Sequence, residues 1–327
     1  MTAPATLPDY DQLPVKDGAP KGSSWGLWGD DDVFGCLNLL TPERVQAGVA
    51  CAREGKVFNL NLELHLPQPP LFSRSAFVHT VHNRPSGHDD ELAGWNTQSS
   101  SQWDGFRHIR HATHGFYNGV ADESHGMHHW ARKGIVGRAV LADVERWRAS
   151  QGRPLQPDAS QWISSEDLLA TLDAEGIAVE PGDILLVRTG WMSWYRTLSE
   201  DERAALATTA AMSTVGLHPG EAMLRTLWDL HVAAVAADNP ALEVWPPGAM
   251  LTPEQANEMR TSPEPAAEFF MHYSLLPLLG LPIGELFDFD GLAADCATDG
   301  RYACLFTSAP LNLEAGVASP PNALAVK

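Results

Sequence analysis

Three stretches limit the possible folds most: "GIVGRAVLADV" from Gly134, "GDILLVRTGW" from Gly182 and "HVAAVAADN" from His231. Each is a near-continuous apolar run of strand length, which reads as a buried strand. Helical patterns separate them. "SSEDLLATLDAEG" has Ser164 as its cap and Asp167 three residues later, and "PGEAMLRTLWDL" follows further on. Strands alternating with helices predict an α/β fold whose core sheet is partly covered by helices.

The flanking sequence continues the pattern. "TPERVQAGVACAREG" reads as a helix capped by Thr41, with Pro42 in its first position and Gly55 at its end. "KVFNLNLELHL" alternates apolar and polar residues as a half-buried strand does. Near the other end the order is a helix near "FFMHYSLLPLLG", a short strand "PIGE", a helix at "DGLAADCA" and a last strand, "YACLFTSAPL". Residues 1–22, rich in Pro, Asp and Gly, form an N-terminal surface segment. Residues 23–327 form one domain, because no repeat or composition break divides them. Residues 67–125 carry few regular elements, and a loop that long is functional or conceals strands.

Charge and composition exclude several classes. Lys and Arg number 22 against 41 Asp and Glu, a net charge of −19. Phosphate backbones and anionic lipid repel such a chain, so the expectation is no nucleic acid and no membrane partner. No window approaches the roughly 20 apolar residues of a membrane span. "MTAPATLPDYDQLP" is not a secretory signal, so the expected location is cytoplasmic. Cys36, Cys51, Cys296 and Cys304 form no CxxC and read as small buried residues.

The unusual chemistry lies in "SSSQWDGFRHIRHATHGFYNG". Six of the 13 histidines fall between His108 and His129. Asp104 and His108, four apart, meet on one side of a helical turn or converge from a turn, and together suit a borderline divalent metal. The plainer reading is a long loop whose side chains hydrogen-bond its own backbone. His111 and His114 suit substrate lining or structure better than ligation. His125, His128 and His129, in "HGMHHWA", read as exposed side chains on a short helix. His272 and Glu285 stand beside apolar segments, and a buried carboxylate needs a partner. A metal, a water, Arg188 or Arg225 would each serve. GxGxxG, GxxxxGK and HExxH motifs are missing, and the GxSxG letters occur only as "GSSWG" at Gly22–Gly26, which is not a strand-to-helix nucleophile elbow.

Taken in order, these stretches resemble the cyclase family, which includes bacterial kynurenine formamidase and isatin hydrolase. The resemblance runs from "SSWGLWGDDDVFGCLNLLTPE" through "FYNG", "GIVGRAVLADV", "GDILLVRTGW" and "VAADNPALE" to "HYSLLPLLGLPIGE" and "APLNLEAGVASPPNALAV". The family signature is a histidine, three residues, a second histidine, one residue, an aspartate, and a histidine four further on. Asp104 and His108 match its last two positions, while Gln98 and Gln102 stand where its first two histidines would be.

The resemblance implies a swivelling β/β/α single domain and a homodimer or higher homo-oligomer. It also implies metal-dependent hydrolysis of an amide or cyclic amide. Asp104 is then a metal ligand and His108 the general base or acid. His272 and Glu285 complete the site, with Glu285 also catalytic, and Gln98 and Gln102 are the remaining candidate ligands. The expected cofactor is divalent, Mn²⁺ or Zn²⁺, and neutral amide oxygens lean it toward harder ions such as Mn²⁺ or Mg²⁺. Trp103, Phe106, His111, His114 and Tyr117 are the expected substrate contacts, suiting a small aromatic or cyclic substrate. Two other readings stay open: a lactonase or dehydratase acting on a C–O bond, and a non-catalytic homologue that binds a small molecule.

Overall fold

The structure, a computed structural model, describes residues 7–208, 212–262 and 267–327. In chain order its strands are β1 (Val57–Asn59), β2 (Val78–Arg84), β3 (Gly87–Ala93), β4 (Gln102–Asp104), β5 (Ile135–Asp143), β6 (Trp162–Ile163) and β7 (Ile184–Arg188). They continue as β8 (Gly216–Leu217), β9 (Ala234–Ala237), β10 (Ile283–Glu285), β11 (Ala303–Ser308), β12 (Ala318–Ser319) and β13 (Ala323–Val326). Nine of them form one sheet in the order β1-β13-β11-β5-β7-β9-β10-β4-β12.

The three apolar runs supply the centre of that sheet. β5, β7, β9 and β10 pair in parallel. Every residue of β7 and β9 is buried, as their unbroken Ile, Leu, Val and Ala sequences require. Parallel neighbours need crossovers, and helices provide them. The helix Ser165–Ala174 starts where expected, with Ser164 Oγ accepting the Asp167 N–H at 3.1 Å. The helix Glu221–Asp229 buries Met223, Leu224, Leu227 and Trp228 along one face. Residues 7–13 lie against this helix, where the Trp228 indole donates to Pro8 O and the Tyr10 N–H to Asp229 Oδ1. No helix among the described residues is long and apolar enough to cross a membrane.

Several local expectations change. The first helix ends at Val49, short of Gly55, because the chain turns away and Glu54 and Lys56 both donate to Lys327 O. β1 is only three residues long. Beyond it the Asn61 side chain takes over the ladder, bonding both Ala323 N and Ala323 O at 2.8 Å, and the proline-rich "HLPQPP" offers few further donors. The loop 67–125 does conceal strands: β2 and β3 form a hairpin exposed along its whole length, and β4 enters the main sheet. His125 and His128 are buried rather than exposed. His125 bonds Tyr117 O and His128 bonds the Ala315 N–H, so both serve structure.

One half-buried acid carries an electrostatic strain. Glu175 Oε1 accepts the Asp143 N–H at 3.0 Å, but its Oε2 is buried without a partner among the described residues. Burial pushes this carboxyl up to about 8. The folded state therefore prefers the protonated acid, and stability falls as pH rises from the ordinary value of 4.5 toward 8. Glu175→Gln keeps the accepting oxygen and removes the titration. It is expected to gain on the order of 1 kcal/mol, about 2 °C in Tm, at pH 8 and nothing at pH 4. Thermal melts at the two pH values check this, and an equal effect at both would contradict it.

Candidate metal and catalytic site

The site is built on the end of the sheet where β10 runs antiparallel to β4. The register sets Glu285 opposite Gln102, Gly284 opposite Trp103 and Ile283 opposite Asp104. Side chains alternate along a strand, so Gln102 and Asp104 share one face and Trp103 points to the other. Glu285 joins the first face, and the Gln102 amide donates to its Oε2 at 2.6 Å.

His272, at the start of a short helical segment, completes the cluster. Its Nε2 lies 3.2 Å from Glu285 Oε1 and 4.0 Å from Asp104 Oδ2. Its Nδ1 lies 3.1 Å from Glu243 Oε1, which also accepts the His272 backbone N–H. One donor atom from each of Asp104, His272 and Glu285 falls within 4.8 Å of the others, and all three residues are buried. Among the described residues, they are the group of three that could close on one metal ion.

Gln98 and His108 border the triad. The Gln98 amide donates to Asp104 Oδ1 at 2.6 Å and stands 3.1 Å from His108 Nδ1. His108 follows a tight turn after β4, its N–H bonded to Gly105 O, and its Nε2 sits 4.0 Å from Asp104 Oδ2. The convergence comes from a turn, not from a helical face.

Burial and charge set the protonation states. Burial pulls the His272 imidazolium down, but Glu243 and then Glu285 more than reverse it, holding the group at about 10. Burial, reinforced by Asp104, pushes Glu285 up to about 7. Burial lowers His108, and Asp104 only partly offsets it, so its ring is neutral at neutral pH and able to accept a proton.

The residues fit a divalent ion. Two carboxylates and one imidazole converge, and His272 engages a carboxylate through its other ring nitrogen, as metal-ligating histidines do. The two glutamines are placed differently from the expectation that they ligate. Gln102 Oε1 is held by Arg74 Nη1 at 3.1 Å, and both amide nitrogens face carboxylates. They therefore act as hydrogen-bond donors to the acids, leaving three ionisable donors.

Above the triad opens a cleft of about 220 Å³ lined by Phe72, Arg74, His108, Ile109, Trp245 and Phe270, among others. Phe270 stacks on His272 with ring centroids 4.3 Å apart. None of the five expected substrate contacts is among the lining residues. Trp103 sits on the opposite face of β4, packed against Phe287 and Phe306 and donating to Ser308 Oγ. Phe106 and Tyr117 pack together in the core, and the Tyr117 hydroxyl donates to Asp32. His111 and His114 stack on each other in the next turn, His114 being exposed. Arg188 and Arg225 do not reach Glu285. Arg188 binds Asp143, Glu145 and Asp290, while Arg225 binds Asp11 and Glu221.

Sequence reasoning missed Glu243, Arg74, Phe72, Trp245 and Phe270. Glu243 carried one signal, an acid closing the apolar "VAADNPALE". The others are unremarkable along the chain.

Comparison with known proteins follows the same lines. A family model described as a putative cyclase matches residues 51–244. A solved structure described as a novel cyclase is 30% identical, with a TM-score of 0.77 over 93% of this chain and 99% of its own. Isatin hydrolase A from Ralstonia solanacearum is 16% identical, with a TM-score of 0.56 over 88% of this chain and 99% of its own. Isatin hydrolase A from Labrenzia aggregata, bound to benzyl benzoate, is also 16% identical, with a TM-score of 0.54 over 83% and 93%. At that identity the two hydrolases share the fold. No curated protein matches the sequence.

Glu285 depends on the smallest residue beside it. A Cβ on Gly284 would stand 2.6 Å from Ala236 Cβ and 2.7 Å from the Phe287 ring. Gly284→Ala is therefore expected to cost about 1–3 kcal/mol of stability by forcing β10 away from its neighbours. Chemical denaturation measures it, and unchanged stability would mean that β10 has slack.

Proposed function

The chain belongs to the cyclase family, with the swivelling β/β/α fold, and on that premise we propose that it is a metal-dependent hydrolase. Its reaction opens an amide or cyclic amide C–N bond in a small aromatic or cyclic substrate. The observation that carries this reading is the convergence of Asp104, His272 and Glu285 on the floor of an aromatic cleft. The relatives named as isatin hydrolases support it from outside.

In this scheme Asp104, His272 and Glu285 would hold the ion, and the oxygen-rich set would favour Mn²⁺ ahead of Zn²⁺. A bound divalent ion polarises a carbonyl and acidifies water. His108 accepts the proton of the attacking water and returns one to the leaving nitrogen. Glu243 Oε1, 3.1 Å from His272 Nδ1, would accept the N–H there and leave Nε2, which faces Glu285 and Asp104, free to bind an ion. Gln98 and Gln102 hold the two carboxylates in orientation without adding charge. Phe72, Trp245 and Phe270 offer ring faces to the substrate.

Near-stoichiometric Mn²⁺ in protein purified without chelator, with Asp104→Asn weakening Mn²⁺ binding at least tenfold by calorimetry, is the expected result. Aryl formamides, isatin-like imides and lactones form the substrate panel, and turnover of lactones alone would move the reaction to a C–O bond. One feature favours a second reading, a non-catalytic binding protein: the glutamine amides and the His272 imidazolium satisfy the acids by themselves. Metal-free protein with no turnover, binding small rings equally well after His108→Ala, would select it.

A base that must be neutral also gives a pH profile. His108 titrates below the ordinary 6.5, so kcat/KM is expected to rise with pH through a pKa under that value and then level. His108→Gln should remove this acid limb and lower kcat by roughly 10²–10⁴-fold. An acid limb above pH 7, or one unchanged in the variant, would assign the base elsewhere.

A further inference from the structure

Arg74 is a half-buried cation in the cleft that forms no ion pair within 4.0 Å among the described residues, although its charge reaches Glu285. In a chain with 41 acids against 22 bases, a cleft cation without a direct ion pair asks for an explanation. The guanidinium is nevertheless held in place. Its Nη1 donates to Gln98 O at 2.5 Å and to Gln102 Oε1 at 3.1 Å, and the Phe72 ring lies under it at 5.0 Å. The Nε and Nη2 groups make no hydrogen bond among the described residues. These two form the edge of the guanidinium that pairs two-to-two with a carboxylate.

A continuous aromatic wall leads from Arg74 to the triad. Phe72 meets Trp245 at 4.9 Å, Trp245 meets Phe270 at 6.2 Å, and Phe270 stacks on His272 at 4.3 Å. A flat ring fits such a wall, with its anionic edge toward the guanidinium, which stands beside the triad across the Gln102 amide. Asp104 and Glu285 are hydrogen-bonded by amides and by His272, and neither pairs directly with Arg74, although the Arg74 charge acts on Glu285.

We propose that Arg74 is an anion anchor, so that the cleft selects planar ring compounds bearing a carboxylate, bound on the Nε and Nη2 edge. This deepens the hydrolase reading and rests on it only for which end of the ring reacts. Because Nη1 is tied down, the side chain loses little freedom on binding, which raises the affinity of a paired anion.

The test is calorimetric and needs no turnover. Benzoate, benzamide and benzamidine are titrated into the protein as purified. Wild type is expected to bind benzoate at least tenfold tighter than benzamide, and Arg74→Gln to bring that ratio near one. Arg74→Glu should reverse the preference toward benzamidine, a gain that loss of folding cannot imitate. Equal wild-type affinities for benzoate and benzamide overturn the proposal, as does a benzoate preference that survives Arg74→Gln and places the anion elsewhere. A protein that hydrolyses amides without this charge dependence loses only the Arg74 assignment. One that shows the reversal but neither binds metal nor turns over loses only the hydrolase reading.

Discussion

The pairing of β4 with β10 is the constraint on which the site depends. It joins positions 183 residues apart and sets Gln102 against Glu285 in a fixed register. A slip of one residue would send Asp104 and Gln102 into the core and Trp103 into the cleft. The register is held by the apolar half of the same strand. Trp103 is fully buried, packs 5.2 Å from Phe287, and hydrogen-bonds Ser308. Apolar burial on one face thus positions charged groups on the other, and it does so on a rigid strand.

Electrostatics explains why those groups tolerate burial. Asp104, Glu243 and Glu285 are all within a few per cent of full burial. Isolated carboxylates there would be very costly. The imidazolium of His272 between Glu243 and Glu285 offsets part of this, and the amides of Gln98 and Gln102 offset more. Neutral amides in place of imidazoles change the site's character. They satisfy the acids as donors, so the acids persist as a preformed pair.

The cleft has a division of labour along its length. Ionisable groups gather at the floor, where the parallel strand β10 ends, and aromatic rings form the wall. Sites in α/β sheets commonly lie at the carboxyl ends of strands, where the backbone fans apart and leaves a crevice. Here the crevice is finished by residues from the loops around Phe72, Trp245 and Phe270, which differ from the aromatic residues nearest the acid–histidine motif.

How much of this was legible along the chain follows from the range of each interaction. The buried strands 135–143, 184–188 and 234–237 were readable because hydrophobic burial leaves a local pattern, and the Ser164 cap because its bond spans three residues. Asp104, His108, His272 and Glu285 stood out through residue type and family resemblance. The cleft lining did not, since Trp103, Phe106 and Tyr117 look as available as Phe72, Trp245 and Phe270 until strand alternation sends one ring inward and a loop brings another across. Arg74 was silent and Glu243 nearly so, their partners lying 28 and 29 residues away. By itself, then, the sequence determined the α/β core and the chemical inventory, because propensity and burial act on neighbouring residues. The tertiary structure alone decided which acids meet, which ring faces the cleft and what the glutamines donate to, because register and long-range packing choose among side chains that look alike in one dimension.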